Sequence, residues 1–143
     1  PYTTLFRSEE ASSIMEPYAH VNSLEQSFAN AINDSRFIPY IQLHEFEALV
    51  FCGIDHLIKI YPKCKKSCEH LAEVLQKSGN PELIDNGPTT APSKRIIKAI
   101  EGENKYKYNK PATGKSVTKE IGIDELRAKC PHFNEWIESL IEK

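Results

Sequence analysis

The stretch from Phe37 to Phe51 constrains the fold most strongly, because it is the most apolar window of the chain. Its first half, Phe37 to Leu43, is rich in β-branched and aromatic residues and has the length of a strand buried on both faces. Its second half, Phe46 to Phe51, is equally typical of the first turns of a buried helix. A buried strand needs neighbours on both edges, so the pattern predicts an α/β fragment that lacks the rest of its sheet.

One imidazole and two carboxylates, those of His44, Glu45 and Glu47, stand where the apolar run ends. The end of a strand that turns into a helix is the usual place for a site in an α/β protein. Glu45 and Glu47 share a face only in extended backbone, because residues two apart on a helix point in nearly opposite directions. The two carboxylates are therefore either metal ligands or simply polar residues at the end of a strand.

The composition is that of an ordinary globular domain, and it excludes several classes of protein. Of the 143 residues, 40% are apolar and 27% are charged, and the net charge is -2. No overall positive charge attracts the chain to nucleic acid or to a membrane surface, so any such binding would be local. No window has the roughly 18 apolar residues of a membrane span, and there is no signal-peptide pattern. Because the four cysteines are scattered, we expect reduced thiols and a cytoplasmic protein that does not bind membranes.

The first eight residues, Pro1 to Ser8, have neither helix nor strand periodicity. They match the translation of a common sequencing-adapter stretch residue for residue, so we interpret them as an artefact. On this interpretation the natural chain continued upstream. We expect residues 9–143 to be a single partial domain with a helical C-terminal region.

Helical periodicity and capping residues predict helices along most of the remaining chain. One is predicted from Asn22 or Ser23 to about Asn33, after a loop or short helix interrupted by Pro17. The other predicted helices are residues 54–61, 63–78, 93–100, 113–121, 124–129 and 131–141. Two loops are predicted between them, residues 80–92 and the exposed, charged residues 101–110.

Ser93, Lys94 and Arg95 are candidate phosphate contacts at the start of one predicted helix. A hydroxyl and two cations at a helix N-terminus suit a phosphate oxygen. A capped helix with exposed basic residues explains the same pattern without a ligand. The cysteine-containing stretch 64–70 lacks the ligand spacing of a zinc site, so we interpret its thiols as two residues on one helix face.

Three separate motifs, in the same order along the chain, resemble those of a known family. They are residues 38–51, 85–95 and 121–136. Together they resemble the uncharacterised bacterial family called domain of unknown function 4276, which is grouped with Toprim-like folds. The resemblance extends from about Ser23 to Leu140. It implies the C-terminal part of a Toprim-like parallel-sheet domain, an α/β fold that is mostly helical in this fragment with one or two central strands.

The resemblance also implies catalytic residues. Toprim domains hold Mg²⁺ with carboxylates, which position a phosphodiester and activate water for its cleavage. The stretch from His44 to Glu47 is similar to the end of a late strand in Toprim nucleases that partner ATPases. The resemblance therefore implies that Glu45 and Glu47 bind Mg²⁺ or Mn²⁺ and that His44 orients them as a hydrogen-bond donor. The substrate contacts that it implies are Ser93, Lys94 and Arg95.

The expected function is thus a Mg²⁺-dependent nuclease acting on DNA or RNA, in anti-phage or anti-plasmid defence with an ATPase partner. The family's remaining carboxylates should lie upstream of Ser23, and nothing there fits them. If the natural N-terminus was lost, this fragment holds an incomplete site and is inactive. The alternative is a non-catalytic module on the same scaffold, which binds nucleic acid or protein through the helix start at residues 93–95.

Overall fold

The computed structural model describes residues 17–85, 87–102 and 106–142, which form helices joined by short turns. The helices are α1 Pro17–Ile32, α2 Glu47–Val50, α3 Ile54–Ile60, α4 Lys65–Ser78, α5 Pro92–Glu101, α6 Lys110–Ile121, α7 Ile123–Lys129 and α8 Pro131–Ile141. The short 3-10 helices are η1 Phe51–Gly53, η2 Pro62–Cys64 and η3 Pro81–Leu83. None of the helices in these ranges has the length and apolar character needed to cross a membrane.

The predicted α/β fold with a parallel sheet is wrong, because no β-strand occurs among the residues that the structure describes. Residues 37–42 are irregular, and Phe37 is 39% exposed. A strand is held by backbone hydrogen bonds to its neighbours. Here the amide of Ile41 donates instead to Oε1 of Glu25, at 2.8 Å. The apolar composition of this stretch was therefore a misleading signal, and the Toprim-like sheet with its central strands is not found in the described ranges.

The chain divides into two compact units, and the described residues of the first are 17–43 and 135–142. Its helix α1 begins at Pro17 and not at Asn22 or Ser23 as predicted. Proline is well tolerated in the first turn of a helix, where its missing N–H has no partner to lose. In the same unit Tyr40 stacks on Trp136, with ring centroids 4.6 Å apart.

The second unit, residues 44–134, contains the main hydrophobic core. The buried side chains of this core are Val50, Phe51, Ile54, Leu57, Tyr61, Cys64, Cys68, Leu71, Ile84, Ile96, Ala99, Ile100, Tyr108 and Val117. They come from α2 to α6 and the turns between them. The prediction that residues 46–51 begin a buried helix is confirmed for residues 47–51, since α2 and η1 are buried, but Phe46 precedes α2 and is 47% exposed.

Most of the predicted helices are confirmed, with shifted ends where a cap was misjudged. Helix α4 ends at Ser78 with Gly79, whose φ is +90°, as the predicted C-cap, and α8 has the predicted bounds. Helix α6 begins earlier than predicted because Asn109 caps it, with Oδ1 accepting from the amide of Ala112 at 3.1 Å. Helix α7 follows Gly122, so Asp124 is not its cap.

Two predictions concern segments that are partly or wholly outside the described residues. The proposed adapter segment, residues 1–8, lies outside them. So do residues 103–105 of the predicted exposed loop. Within the described part of that loop, Tyr108 is buried, so the prediction of an exposed loop is wrong there.

Candidate functional site around Glu47

His44 has a backbone conformation that few non-glycine residues adopt, with φ at +63°. Its imidazole forms a hydrogen bond to the main chain of Glu82, and burial lowers the pKa of His44 below its ordinary value of 6.5. Nε2 is buried and has no hydrogen-bond partner among the described residues. The ring is therefore mainly neutral near pH 7. Because Nε2 has no partner, we infer that Nδ1 makes the bond to Glu82 and that Nε2 is the nitrogen that can accept a proton.

Glu45 caps helix α5. Its Oε1 accepts a hydrogen bond from the main-chain amide of Ser93, at 2.5 Å. Ser93 follows Pro92, the first residue of α5, so its amide is among the free donors of the helix start. The positive end of the helix dipole also favours a carboxylate here. The anion expected at this helix start is thus supplied by the chain's own glutamate.

The three predicted phosphate contacts lie in different environments. Ser93 is 5% exposed, and its amide is bound to Glu45. Arg95 is half-buried, and its Nε donates to the main-chain carbonyl of Thr90 at 2.7 Å. Of the three side chains, only that of Lys94 is exposed.

Glu47 is a buried carboxylate in α2, with 1% of its surface exposed. Its Oε1 lies 3.0 Å from Nζ of Lys110, the first residue of α6. The lysine side chain is 55% exposed, so water partly screens this ion pair. The pair does not have hydrogen-bond geometry, and neither carboxylate oxygen has a hydrogen-bond partner in the described part of the chain. The ammonium of Lys110 thus balances the charge of Glu47 at Oε1, whereas Oε2 has no partner among the described residues.

Tyr108 adds a buried hydroxyl to this site. Within the described ranges the Tyr108 hydroxyl has no hydrogen-bond partner. Burial raises the pKa of Tyr108 well above its ordinary value, and the charge of Glu47 acts in the same direction. By contrast, the hydroxyl of Tyr61 hydrogen-bonds to Oγ1 of Thr113 at 2.7 Å. Tyr108 therefore stays protonated and is free to donate to a ligand.

His44, Glu45, Glu47, Tyr108 and Lys110 are connected by one ion pair and by charge interactions, and we call them the Glu47 cluster. The negative charge of Glu45 acts to raise the pKa of both His44 and Tyr108, so both side chains interact electrostatically with this carboxylate. Three of its members have a buried polar atom without a hydrogen-bond partner among the residues described, namely His44 Nε2, Glu47 Oε2 and Tyr108 Oη. Since buried polar groups nearly always have partners, this concentration indicates a bound water, ion or ligand.

The cluster fits some metal ions better than others. In the described ranges, no group of three or more His, Cys, Asp or Glu side chains is arranged to hold a metal. A zinc site, which uses such a group, is therefore a poor fit. Mg²⁺ is commonly held by one or two carboxylates, with water and phosphate oxygens completing its coordination. Glu47 has an open oxygen for this purpose, whereas Glu45 has committed one oxygen to α5.

Sequence reasoning missed Glu82, which is fully buried in η3. Its Oε1 accepts from the amide of His132 at 2.9 Å, and its Oε2 accepts from the amide of Phe133 at 3.0 Å. The available signal was Asn80-Pro81 before it. Asn80 Oδ1 accepts from the Glu82 amide at 2.9 Å, which is typical of a capped helical turn.

The sequence placed Tyr108 and Lys110 in an exposed loop and did not assign them to the site. Asn109 and Pro111 are the usual signals of a helix start, and they place Lys110 in the first turn of α6. That position brings its ammonium to Glu47. Nothing in the sequence pairs Lys110 with Glu47, since the contact joins distant parts of the chain.

The described fold and site define a helical domain with a partly buried cluster, in which a carboxylate and a tyrosine are buried, a second carboxylate and a histidine are half-buried, and a lysine is exposed. The family model of domain of unknown function 4276 matches residues 2–141. The chain belongs to this family. The match includes residues 2–8, and our interpretation of them as adapter sequence stays a prediction. Among curated proteins and among solved structures, no significant match is found.

Proposed function

We propose that the Glu47 cluster is a Mg²⁺- or Mn²⁺-dependent site for phosphodiester cleavage in nucleic acid. One observation carries this proposal. Glu47 is 1% exposed, and its Oε2 has no hydrogen-bond partner in the described part of the chain. An open carboxylate oxygen in the interior is costly in free energy, and binding of a cation would offset that cost. When bound, Mg²⁺ would supply Lewis-acid activation of the phosphodiester.

Side chains around Glu47 supply the other functions that such a site needs. Lys110, with its half-exposed ammonium, can bind a phosphate oxygen beside Glu47. Tyr108, protonated because burial raises its pKa, can donate a hydrogen bond to an oxygen that gains charge. His44 can accept a proton from water at Nε2. Lys110 thus takes the phosphate-binding role that the sequence assigned to residues 93–95.

The family resemblance adds a cellular role and a partner to the proposal. It implies a partner ATPase and a role in defence against phage or plasmids, and we carry both as parts of the same proposal. Because the net charge is -2, any contact with nucleic acid would be local, and the exposed side chains of Lys94 and Lys110 are the cations that we propose for it.

The proposal is tested by Mn²⁺ binding, followed by electron paramagnetic resonance, and by nicking of supercoiled plasmid DNA in Mg²⁺. We expect Glu47→Gln to weaken Mn²⁺ binding by about tenfold or more, a loss seen even for residues around a metal site, and to abolish nicking. Lys110→Met should keep Mn²⁺ binding and lower nicking. Glu69→Gln, an exposed change on α4, is the matched control and should change neither. Equal Mn²⁺ affinity and nicking in Glu47→Gln and the unsubstituted chain would overturn the proposal.

A second candidate, a non-catalytic module that binds nucleic acid or protein, is favoured by a different observation. Lys110 already balances Glu47, and the amide of Ser93 already binds Glu45. With these contacts the carboxylates serve to join α2, α5 and α6. On this alternative, Glu47→Gln lowers stability without changing metal affinity, and Lys94→Ala weakens nucleic-acid binding.

A further inference from the structure

Two cysteines that are distant in sequence meet in the structure. Cys52 lies in η1, and Cys130 lies between α7 and α8. Their Sγ atoms are 3.4 Å apart and share a hydrogen bond. The S–S bond of a disulfide is about 2.0 Å long, so the sulfurs would approach by only about 1.4 Å to form one.

Cys52 is the more accessible of the two thiols. It is 6% exposed, whereas Cys130 is fully buried. Cys52 lines an open cleft of about 440 Å³, together with His56, Glu125 and Lys129, and Cys130 is not among the lining residues. A small polar molecule that enters this cleft therefore meets Cys52 first.

The charges around the pair also distinguish the two thiols. The hydrogen bond with Cys130 lowers the pKa of Cys52 against the effect of burial, and the ammonium of Lys129 acts in the same direction. Nζ of Lys129 donates to the main-chain carbonyl of Cys52 at 3.0 Å. The same hydrogen bond and burial raise the pKa of Cys130. Because the thiolate is the reactive form, Cys52 is the attacking thiol and Cys130 the resolving thiol.

We propose that Cys52 and Cys130 are a peroxide-reactive dithiol that hydrogen peroxide converts to an intramolecular disulfide. The Cys52 thiolate attacks one peroxide oxygen, the O–O bond breaks, and the departing hydroxide takes up the proton that Cys52 had lost. Cys52 is then a sulfenic acid, which condenses with thiols. Sγ of Cys130 attacks Sγ of Cys52, the S–O bond breaks, and the hydroxyl leaves as water with the Cys130 proton. In total, two thiols are oxidised to one disulfide and one peroxide is reduced to two waters.

This inference is independent of the proposed metal site, since neither cysteine belongs to the Glu47 cluster. The disulfide would join η1, which directly follows the helix of Glu47, to the residue before α8. Oxidation would thereby restrain the two segments that contribute Cys52 and Lys129 to the lining of the cleft. Failure of the two cysteines to form a disulfide would not bear on metal binding by the Glu47 cluster.

The test treats the full chain with hydrogen peroxide, blocks the remaining thiols by alkylation, and maps the peptides by mass spectrometry without reduction. We expect a mass loss of two hydrogen atoms and one linked pair of peptides that contain Cys52 and Cys130. Cys64 and Cys68 are the internal control, because they are also buried and burial raises the pKa of both, to about 11 for Cys68. After the peroxide treatment, both of these cysteines should be found alkylated and not in a disulfide. Absence of the linked pair, or equal oxidation of all four cysteines, would overturn the proposal.

Substituted chains test the order of the two steps. Cys130→Ser should stop at a sulfenic acid on Cys52, which dimedone traps, and Cys52→Ser should give neither adduct nor disulfide. Cys64→Ser should form the disulfide normally. A dimedone adduct on Cys130 in the Cys52→Ser chain would contradict the assignment of Cys52 as the attacking thiol. The map of the unsubstituted chain remains decisive even if a substituted chain does not fold.

Discussion

Glu82 is held in the interior by main-chain amides at the start of α8. Its two oxygens accept hydrogen bonds from His132 and Phe133, at 2.9 and 3.0 Å. The free amides and the positive dipole end of a helix start both stabilise a carboxylate in this position. One side chain thus links η3 to α8 within residues 44–134.

Removing the Glu82 carboxylate should destabilise the chain substantially. We expect Glu82→Ala to lower the free energy of unfolding by about 2–4 kcal/mol, because two helix-start amides lose their acceptor. Glu82→Gln keeps one acceptor oxygen and should lose less. Urea unfolding followed by circular dichroism measures both. Glu69→Ala, on the exposed face of α4, is the control and should change stability by less than about 0.5 kcal/mol. Equal losses in the two alanine variants would contradict this role of Glu82.

His44 should make stability depend on pH. Its pKa is lowered in the folded chain and returns to its ordinary 6.5 on unfolding. The unfolded chain therefore binds the proton more readily, and stability that is complete above pH 6.5 is lost as the pH falls through the lower folded pKa. We expect the unsubstituted chain to lose more stability than His44→Gln when urea unfolding is repeated below pH 6.5. His70→Gln, at a side chain 75% exposed, is the control and should show the same pH dependence of stability as the unsubstituted chain. The same pH dependence in His44→Gln would contradict the role of His44.

At the scale of elements, η1 and α6 pack in direct contact at Gly53. A Cβ added there would lie 2.6 Å from Cδ1 of Ile121 and 2.8 Å from Cγ1 of Val117. Real Cβ atoms do not approach other atoms so closely, so any side chain at this position displaces α6 or its side chains. The absence of a side chain at Gly53 is what lets the two elements meet.

We therefore expect Gly53→Ala to lower the free energy of unfolding by about 1–3 kcal/mol through overpacking. Gly79→Ala is a useful comparison, since φ is +90° there and nothing lies within 4 Å of an added Cβ. Its cost is conformational only, about 1 kcal/mol. Ile121→Ala should recover part of the Gly53→Ala loss and none of the Gly79→Ala loss. Additive losses in both double variants, measured by urea unfolding, would show that Gly53 is not limited by packing.

The main core of the protein lies within residues 44–134 and includes only the end of the apolar window from Phe37 to Phe51. Phe51 is 1% exposed and belongs to this core, whereas Phe37 is 39% exposed. The two phenylalanines stand at opposite ends of the most apolar window of the sequence, yet they contribute differently. Burial and not composition decides that contribution.

The pair provides a direct test of where the core lies. Phe51→Ala should lower the free energy of unfolding by about 3–5 kcal/mol, because it leaves a cavity in the core. Phe37→Ala should cost less than about 1 kcal/mol, since much of its ring is in water. Urea midpoints of the two variants measure the difference. A larger loss of stability for Phe37→Ala than for Phe51→Ala would contradict this position of the core.

Helices α3, α4, α5 and α8 were predictable because a helix is built from neighbours three and four residues apart and from its own caps. Pro92, Gly79 and Pro131 marked ends that the structure confirms. The boundaries that failed depended on caps with weaker signals, such as Asn109 before α6. Local chemistry therefore carried most of the helical assignment.

Residues 37–43 and the Glu47 cluster were decided by contacts between distant residues. An apolar stretch becomes a strand only if other strands pair with it, and here the Ile41 amide bonds to Glu25. The pattern alone identified His44, Glu45 and Glu47 as polar residues at the end of an apolar run. Their partners were set by packing, which brought Ser93 to Glu45 and Lys110 to Glu47. The amino-acid sequence determines which polar groups are present, but the free energy of burying them depends on which distant groups surround them in the fold.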